Sequence, residues 1–588
     1  MSMDPLASAR RLSPRRKTSS AASIDELTHE QLHHFGIDPT SAMGEKLEAV
    51  TANLYRSGHS IDELLSTTFS LLDTLTHNDR ISYFNAKKFL CFQLAKLIDT
   101  LQPSMKGDYQ ALSFSDKSRS VKGEHPLFCN VSALFSATPA VVRTATYLYA
   151  CTEWVDDAFH GRESTHPIYT RLLNPTSMAL ANSVVDLEAG PLAGEYLAWN
   201  FNSGMAAIDA LLSNQLRHGD ILIVSRNVYG GTHQLLHDYF ARTDRLAIEL
   251  VWFDGYTHDD FQQVLEDTRA QYADALNHGK NLSIYLESPC NPHGYVLDVP
   301  AICQLVHQHN HTVMLDATLA TPFLQKPLQH NDTNKRPDFL IHSYTKDISG
   351  SGSTTAGVVI GKNHRMFIPK GDTAEGLNWD QSLFWDVYYI KGSFLDADKA
   401  IDVYNGMKTL ESRMLGKCIN TRVFAEFLAS HPAIQVNSNA IASNPNRALC
   451  QEQQYLGLPS PLFSIDFEQA NIPKEAFTRF FDALEPAFSH MVSLGQSNTL
   501  LLCPALTSHS ELSEQALEDA GITPTTIRIA MGNENPQDLI THFRAASECH
   551  IDPVLPGFSS QFMDANTVSQ MLRKIYLETH TAHIESIL

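Results

Sequence analysis

"FLIHSYTKDISGSG", residues 339–352, sets a run of apolar residues directly before a lysine that stands between hydroxyl side chains and a glycine-rich turn. The apolar run reads as a strand buried on both faces, and Lys346 falls just past its end. Outward from it lie further runs of the same kind: "DILIVS" (220–225), "AIELVWF" (247–253), "SIYLES" (283–288), "TVMLDAT" (312–318) and "GVVIG" (357–361). Between them, "MAAIDALLSNQL" (205–216) and "VPAICQLVHQH" (299–309) carry helical spacing. Strand and helix in alternation predict an α/β fold, a mostly parallel sheet covered on both faces, with its ligand site at the carboxyl ends of the strands. Lys346 stands at such an end.

The chain has 588 residues, too many for one ordinary core, so two main domains with extensions are expected. Residues 1–36 read as a disordered basic, Ser-rich tail, since "RRLSPRRK" has no apolar stretch beside it. Residues 37–150 read as a helical N-terminal extension, carried by "LEAVTANLYRSGHSIDELLSTTFSLLDTL" and "FLCFQLAKLIDTL". Residues 151–400 read as the large α/β domain that holds the ligand site, with its N-terminal arm, 401–546 as a small C-terminal α/β domain, and 547–588 as a C-terminal helical tail.

Composition is that of a globular protein, 43% hydrophobic and 19% charged, and no run reaches the ~18 uninterrupted apolar residues of a membrane span. A formal charge of -21 repels nucleic acid and anionic lipid at long range, which leaves small-molecule chemistry as the expectation. Nine cysteines without a CxxC pair point neither to a disulfide framework nor to a zinc cluster, and a reducing cytoplasm fits them. "HQHNH" (307–311) lies at the polar end of a helix before a strand, and no metal site is expected there.

A lysine at a strand end can lose its charge by desolvation and then form a Schiff base with a carbonyl compound. Thirty residues earlier Asp316 ends its own strand, where an acid can cap a helix or pair with a protonated ring nitrogen. Ser203 and Gly204 in "NSGMAAIDALL" open a helix, where free N–H groups and the helix dipole favour a phosphate. Together these are the parts that hold pyridoxal phosphate.

The chain resembles the Cys/Met-metabolism family of pyridoxal-phosphate enzymes, which includes cystathionine γ-synthase, cystathionine γ-lyase and methionine γ-lyase. The similarity runs over about residues 165–546 through "YTRLLNPT", "NSGMAAI", "VYGGT", "YLESPCNP", "VMLDATLATP", "HSYTK", "GMKTLESRM", "SLG" and "TTIRIAMGNENPQDLI", in that order. It implies a fold-type I transferase-like architecture with pyridoxal 5'-phosphate as cofactor. It further implies that Lys346 links the cofactor and moves protons, that Asp316 pairs with its ring nitrogen, and that Ser203, Gly204, Met205, Ser343 and Thr345 hold its phosphate. Tyr229 is implied to stack on the ring and assist catalysis, and Asn291 to lie near the ring hydroxyl. Arg528 and Ser493 would take the substrate carboxylate, while Glu287 is read as structural. Tyr169 and Arg171 are implied to reach a neighbouring subunit's phosphate, which makes the protein a homo-oligomer, a dimer of shared active sites assembled as a tetramer.

The implied activity is γ-elimination or γ-replacement on cystathionine, methionine or an O-acylhomoserine. β-Elimination, or a silent homologue that keeps the cofactor only as ligand, are the alternatives. The chain departs from the family pattern at Ala317, Ser351 and Cys290, and carries Gly231 where methionine γ-lyases have cysteine. Val492 replaces a glutamate common before "SLG", and is expected to give the distal end of the substrate an apolar wall.

Overall fold

The computed structural model describes residues 4–123, 130–162, 168–507, 517 and 521–588. The chain divides into two compact units, residues 1–140 with 146–168 and residues 141–145 with 169–588.

The first unit is helical: α1 (Pro5–Leu12), α2 (Ile24–His34), α3 (Ala42–Leu71) and α4 (His77–Ala111). Ser23, Ser41 and Thr76 cap the last three, each side chain accepting from an otherwise unpaired N–H. Residues 5–34 therefore depart from the expected disordered tail. Ala9, Ala21 and Leu27 bury against Tyr55 of α3, and the basic run is neutralised locally, Arg16 reaching Asp157 at 2.5 Å and Lys17 the same carboxylate at 2.6 Å. Composition alone hides this pairing, because the acids lie 140 residues away in "WVDDAF". That segment groups with the helical unit, so the boundary expected at 150 falls at 168.

The second unit is built on a seven-stranded sheet: β1 (Tyr196–Phe201), β2 (Ile221–Ser225), β3 (Glu249–Phe253), β4 (Leu282–Glu287), β5 (Thr312–Asp316), β6 (Phe339–His342) and β7 (Gly357–Lys362). Their order is β1-β7-β6-β5-β4-β2-β3, with β7 antiparallel to both neighbours and β2 to β6 parallel. Alternation within strands feeds two cores. Ile221, Ile223, Ile284 and Leu315 face one, while Leu222, Val224, Met314 and Ile341 face the other. Each fully buried aliphatic side chain is worth roughly 1.5–3 kcal/mol, so burial on both faces is what holds these strands parallel under their helices. The sequence reading missed β1: "YLAWNF" includes a polar Asn200, whose amide the fold satisfies on Ser177.

Helix α5 (Gly204–Gln215) follows β1, and α6 (Leu410–Ala429) leads to a second sheet of β8 (Gln435–Asn437), β9 (Leu462–Asp466), β10 (Ser489–His490), β11 (Leu500–Leu502) and β12 (Ile527–Ala530), in the order β8-β9-β12-β11-β10. Helices α7 (Pro536–His550) and α8 (Ala565–Ile587) close this part. The stretch 547–588 is no appendage. Val568 and Ile575 of α8 are buried in the same core as α6, Phe562 stacks on Phe427 at 4.8 Å, and Arg422 donates to Thr579 at 2.9 Å.

Candidate active site

At the carboxyl ends of β2, β4, β5 and β6, a cavity of about 200 Å³ opens, lined by Ser203, Gly204, Met205, Tyr229, Asn291, Asp316, Ser343, Thr345 and Lys346. Nine residues singled out in the sequence thus meet in one place. Asp316 ends its strand and the other eight lie on segments that follow one, where side chains are free to point at a ligand.

Lys346 is held by its surroundings. Its ammonium nitrogen donates to Ser493 Oγ at 3.3 Å, and burial, aided by the nearby Arg528 charge, pushes its pKa down to about 8. The next residue, Asp347, is occupied by buried Lys417 at 2.7 Å, and Arg413 donates to the carbonyls of Asp347 and Ile348 at 2.7 and 3.3 Å. "GMKTLESRM" thereby clamps the turn that carries the lysine. Gly495 of "SLG" closes it from above: it sits at φ +83°, and a Cβ there would stand 2.6 Å from the Lys346 carbonyl carbon.

The acids form a second group. Asp316 and Glu287 are register partners at the ends of β5 and β4, both buried and both lining the cavity. Desolvation raises both carboxyl groups, Glu287 well above the usual range, with the Asp316 charge adding to its rise. Asp316 is held back by Thr318, whose N–H donates to Oδ1 at 3.0 Å. Glu287 accepts from the Tyr229 N–H at 2.7 Å, which ties the start of "VYGGT" to the sheet. The sequence reading took Glu287 as structural, and its place in the cavity follows from the strand register. Thr318, Leu319, Ile208, Thr355 and Leu494 also line the cavity without having been singled out, although Thr318 lies in the quoted "DAT".

The third group is an anion cradle. Ser203 caps α5, its Oγ accepting from the Ala206 N–H at 3.1 Å, which leaves its own O–H to donate. The first-turn N–H groups of Gly204 and Met205 have no carbonyl ahead of them within the helix. A Cβ on Gly204 would come within 2.7 Å of Ser343 Cβ, so only glycine lets the helix start close on the end of β6.

Arg528, on β12, is buried and donates to the Ser493 carbonyl at 2.5 Å and to Asn291 Oδ1 at 3.3 Å, while its Nε has no hydrogen-bond partner. Among the described residues no carboxylate pairs with it, and burial lowers its pKa to about 10. A buried guanidinium without an acid is matched by an anionic ligand. The cradle, the buried acid and the desolvated lysine of one cavity, with this arginine joined to the lysine through Ser493, fit a phosphate-bearing pyridine aldehyde and an amino-acid carboxylate.

Other expected residues stand elsewhere. Tyr169 and Arg171 do not line the cavity of their own chain: Arg171 donates to the Tyr389 carbonyl at 2.5 Å and lies over the rings of Tyr169 and Tyr389 at 5.6 and 5.7 Å. Val492 is 69% exposed and makes no wall of this cavity; Leu494, two residues on, does so with Met205 and Leu319. The chain bends at Val492, so that residue does not share the side that Leu494 presents to the cavity. A Cβ on Gly231 would lie 2.6 Å from the Tyr229 ring, so the bare glycine is what admits this ring position.

Comparison with known proteins agrees with this chemistry. The family model described as Cys/Met metabolism PLP-dependent enzyme matches residues 130–548. L-methionine gamma-lyase of Pseudomonas putida is 30% identical over 409 residues, 69% of this chain and 92% of the relative. O-acetyl-L-homoserine sulfhydrylase of Leptospira meyeri is 28% identical over 437 residues, 69% of this chain and 90% of the relative. Among solved structures, a Campylobacter jejuni protein described as an O-acetylhomoserine (thiol)-lyase, solved with a pyridoxyl-lysine-5'-monophosphate, aligns with TM-score 0.60 and 29% identity over 70% of this chain and 96% of that one.

Proposed function

Because the chain belongs to the family of pyridoxal-phosphate-dependent enzymes of Cys/Met metabolism, we propose that it eliminates or replaces the γ-substituent of a homoserine-derived amino acid such as cystathionine, methionine or an O-acylhomoserine. The observation that carries the reading is Arg528: a buried guanidinium with an orphaned Nε, bonded to the same Ser493 that receives the Lys346 ammonium.

When bound, pyridoxal phosphate supplies an electron sink that lets protons leave Cα and Cβ of an amino acid. Ser203, Gly204, Met205, Ser343 and Thr345 hold the phosphate by O–H and N–H donation at the start of α5. Asp316 would keep a proton on the cofactor's ring nitrogen, and Asn291 and Tyr229, which line the same cavity, would help to hold the ring. Arg528 and Ser493 fix the substrate carboxylate, which sets the Cα–H bond toward Lys346. With its pKa near 8, the Lys346 amine would accept the Cα proton, pass it on before it takes the Cβ proton, and return that second proton to the departing γ-group or to product. Leu494, Leu319 and Met205 offer a neutral wall, which separates substrates by only about 1–3 kcal/mol per methylene, so several γ-substituted amino acids are expected to turn over.

In deuterium oxide the 2-oxobutanoate formed from cystathionine or an O-acylhomoserine should carry deuterium at C3, because the substrate's Cβ is deprotonated on the way. Mass spectrometry of the keto acid checks this. Pyruvate from cystathionine, with no 2-oxobutanoate from any homoserine-derived substrate, would establish β-elimination in its place.

The same reading makes the enzyme a homo-oligomer of shared active sites, a tetramer of paired dimers, with Tyr169 and Arg171 reaching the partner's phosphate. Their position outside the cavity of their own chain supports it. Arg171→Ala and Lys346→Ala subunits, each inactive or cofactor-poor, should regain activity when mixed, since one site of the mixed dimer receives both native residues. Mixed oligomers no more active than either parent would refute the sharing. A cytoplasmic location fits the cysteines, which are unpaired among the described residues, and cell fractionation tests it.

A further inference from the structure

A second cleft lies away from the cofactor cavity. It measures about 680 Å³ and opens at the amino ends of β4 and β5, beside Leu282 and Thr312, whereas Glu287 and Asp316 at the carboxyl ends of the same strands face the cofactor cavity. Helix α5 separates the two: Gly204 belongs to one and Asn214 and Gln215 to the other, about 15–16 Å apart along the axis.

Its lining is cationic. Arg217, Arg269, Lys280 and Arg365 contribute, with His309 and His311, and none of the lining residues is an aspartate or glutamate. Only Arg217 has an acid, Asp386 at 3.3 Å. Among the described residues no carboxylate lies within ion-pair distance of Arg269, Lys280 or Arg365; Lys280 donates to the His218 carbonyl at 2.7 Å, and Arg365 lies over the Phe339 ring. Arg269 donates toward His309 Nε2 at 3.3 Å, which makes that imidazole the acceptor and therefore neutral, with Glu266 nearby as the one acid acting on it. His311 Nε2 is buried with no hydrogen-bond partner. Burial and the charge of Arg269 push the His311 pKa down to about 4, so this ring too is neutral and can turn a donor toward a ligand.

On a chain of net charge -21, three unpaired cations converging on one cleft cost electrostatic energy unless an anion joins them. Guanidinium pairs match phosphate oxygens by two parallel N–H bonds, and an unused imidazole nitrogen adds a third type of donor. The volume exceeds what a lone phosphate fills and falls within the range of about 300–1,000 Å³ of small-molecule sites. Leu276 and Leu377 add apolar surface to the lining. We propose that this cleft is a second ligand site, one that binds a small anion bearing two or more phosphate groups, through Arg269, Lys280, Arg365 and His311.

The test is calorimetric titration of the full-length holoenzyme, whose phosphate cradle at α5 is already filled, with inorganic pyrophosphate and with ADP at about 50 and 200 mM salt. Saturable binding that weakens several-fold at the higher salt is expected. Arg269→Gln/Arg365→Gln should weaken it by about tenfold or more while cofactor absorbance and turnover persist, and Arg269→Lys/Arg365→Lys should recover part of the affinity. ADP binding more tightly than pyrophosphate would place its organic part on the apolar surface of Leu276 and Leu377; equal affinities would assign recognition to the phosphates, and both support the site. Absence of saturable binding of either probe, or binding by the double Gln variant equal to the native enzyme, overturns it.

Discussion

Lys346→Ala is expected to lower turnover by at least about 10⁴-fold, because one substitution removes both the amine that links the cofactor and the base that moves protons at Cα and Cβ. Among the described residues no other lysine lines the cavity, and the Ser493 hydroxyl that receives the ammonium cannot substitute for it. Two further readouts separate this role from a structural one. Borohydride treatment of the native protein should fix pyridoxal phosphate to a single peptide containing Lys346, and the variant should retain none. In the native apoprotein the rate of cofactor attachment should rise as pH passes through about 8, because only the neutral amine attacks and burial has brought the pKa down from the ordinary 10.5. A labelled peptide without Lys346, or an attachment rate that keeps rising toward pH 10.5, would remove Lys346 from this role.

The large sheet was legible because burial on both faces leaves a plain signal: five parallel strands as apolar runs, separated by helices of period 3.6. β1 escaped that test, since an edge strand carrying Asn200 lacks the continuous run. The site was legible residue by residue through its motifs, yet motif position does not say which way a side chain turns. Val492 and Leu494 sit two residues apart across a bend, and the backbone path there, which the motif does not record, leaves Leu494 in the cavity while Val492 faces solvent. Glu287 was obscured for a different reason, because register between strands 29 residues apart places it beside Asp316 and nothing local records that. The N-terminal helices were hidden by long-range charge pairing, Arg16 and Lys17 with Asp157, which a compositional reading of a basic tail does not contain.

That register makes the second large effect specific. Two carboxyl groups buried side by side do not both ionise readily, and their environments push them apart. Glu287 is raised well above the ordinary value by desolvation and by the charge of Asp316, whereas Asp316, though also raised by burial, is drawn back by the Thr318 hydrogen bonds and by His342. Asp316 is thus the member of the pair that ionises first, and its ionised form is the one that can hold a proton on a ring nitrogen. Asp316→Asn keeps the shape and can still accept from the Thr318 N–H, but it removes that charge. Turnover should fall by about 10³-fold, the size of loss seen when one preorganised electrostatic partner is deleted, with cofactor still attached to Lys346. Stability should move the other way. An acid whose folded pKa is raised contributes stability that is present at low pH and lost as pH rises through the folded value, and the loss grows with the size of the rise. Without the Asp316 charge the Glu287 rise is smaller, so less is lost at neutral pH. The Asp316→Asn apoprotein should therefore melt no lower than the native apoprotein at pH 7 while losing activity, a trade expected of a site built for chemistry. An Asp316→Asn protein that melts lower as apoprotein and keeps near-native turnover would make Asp316 a structural acid instead.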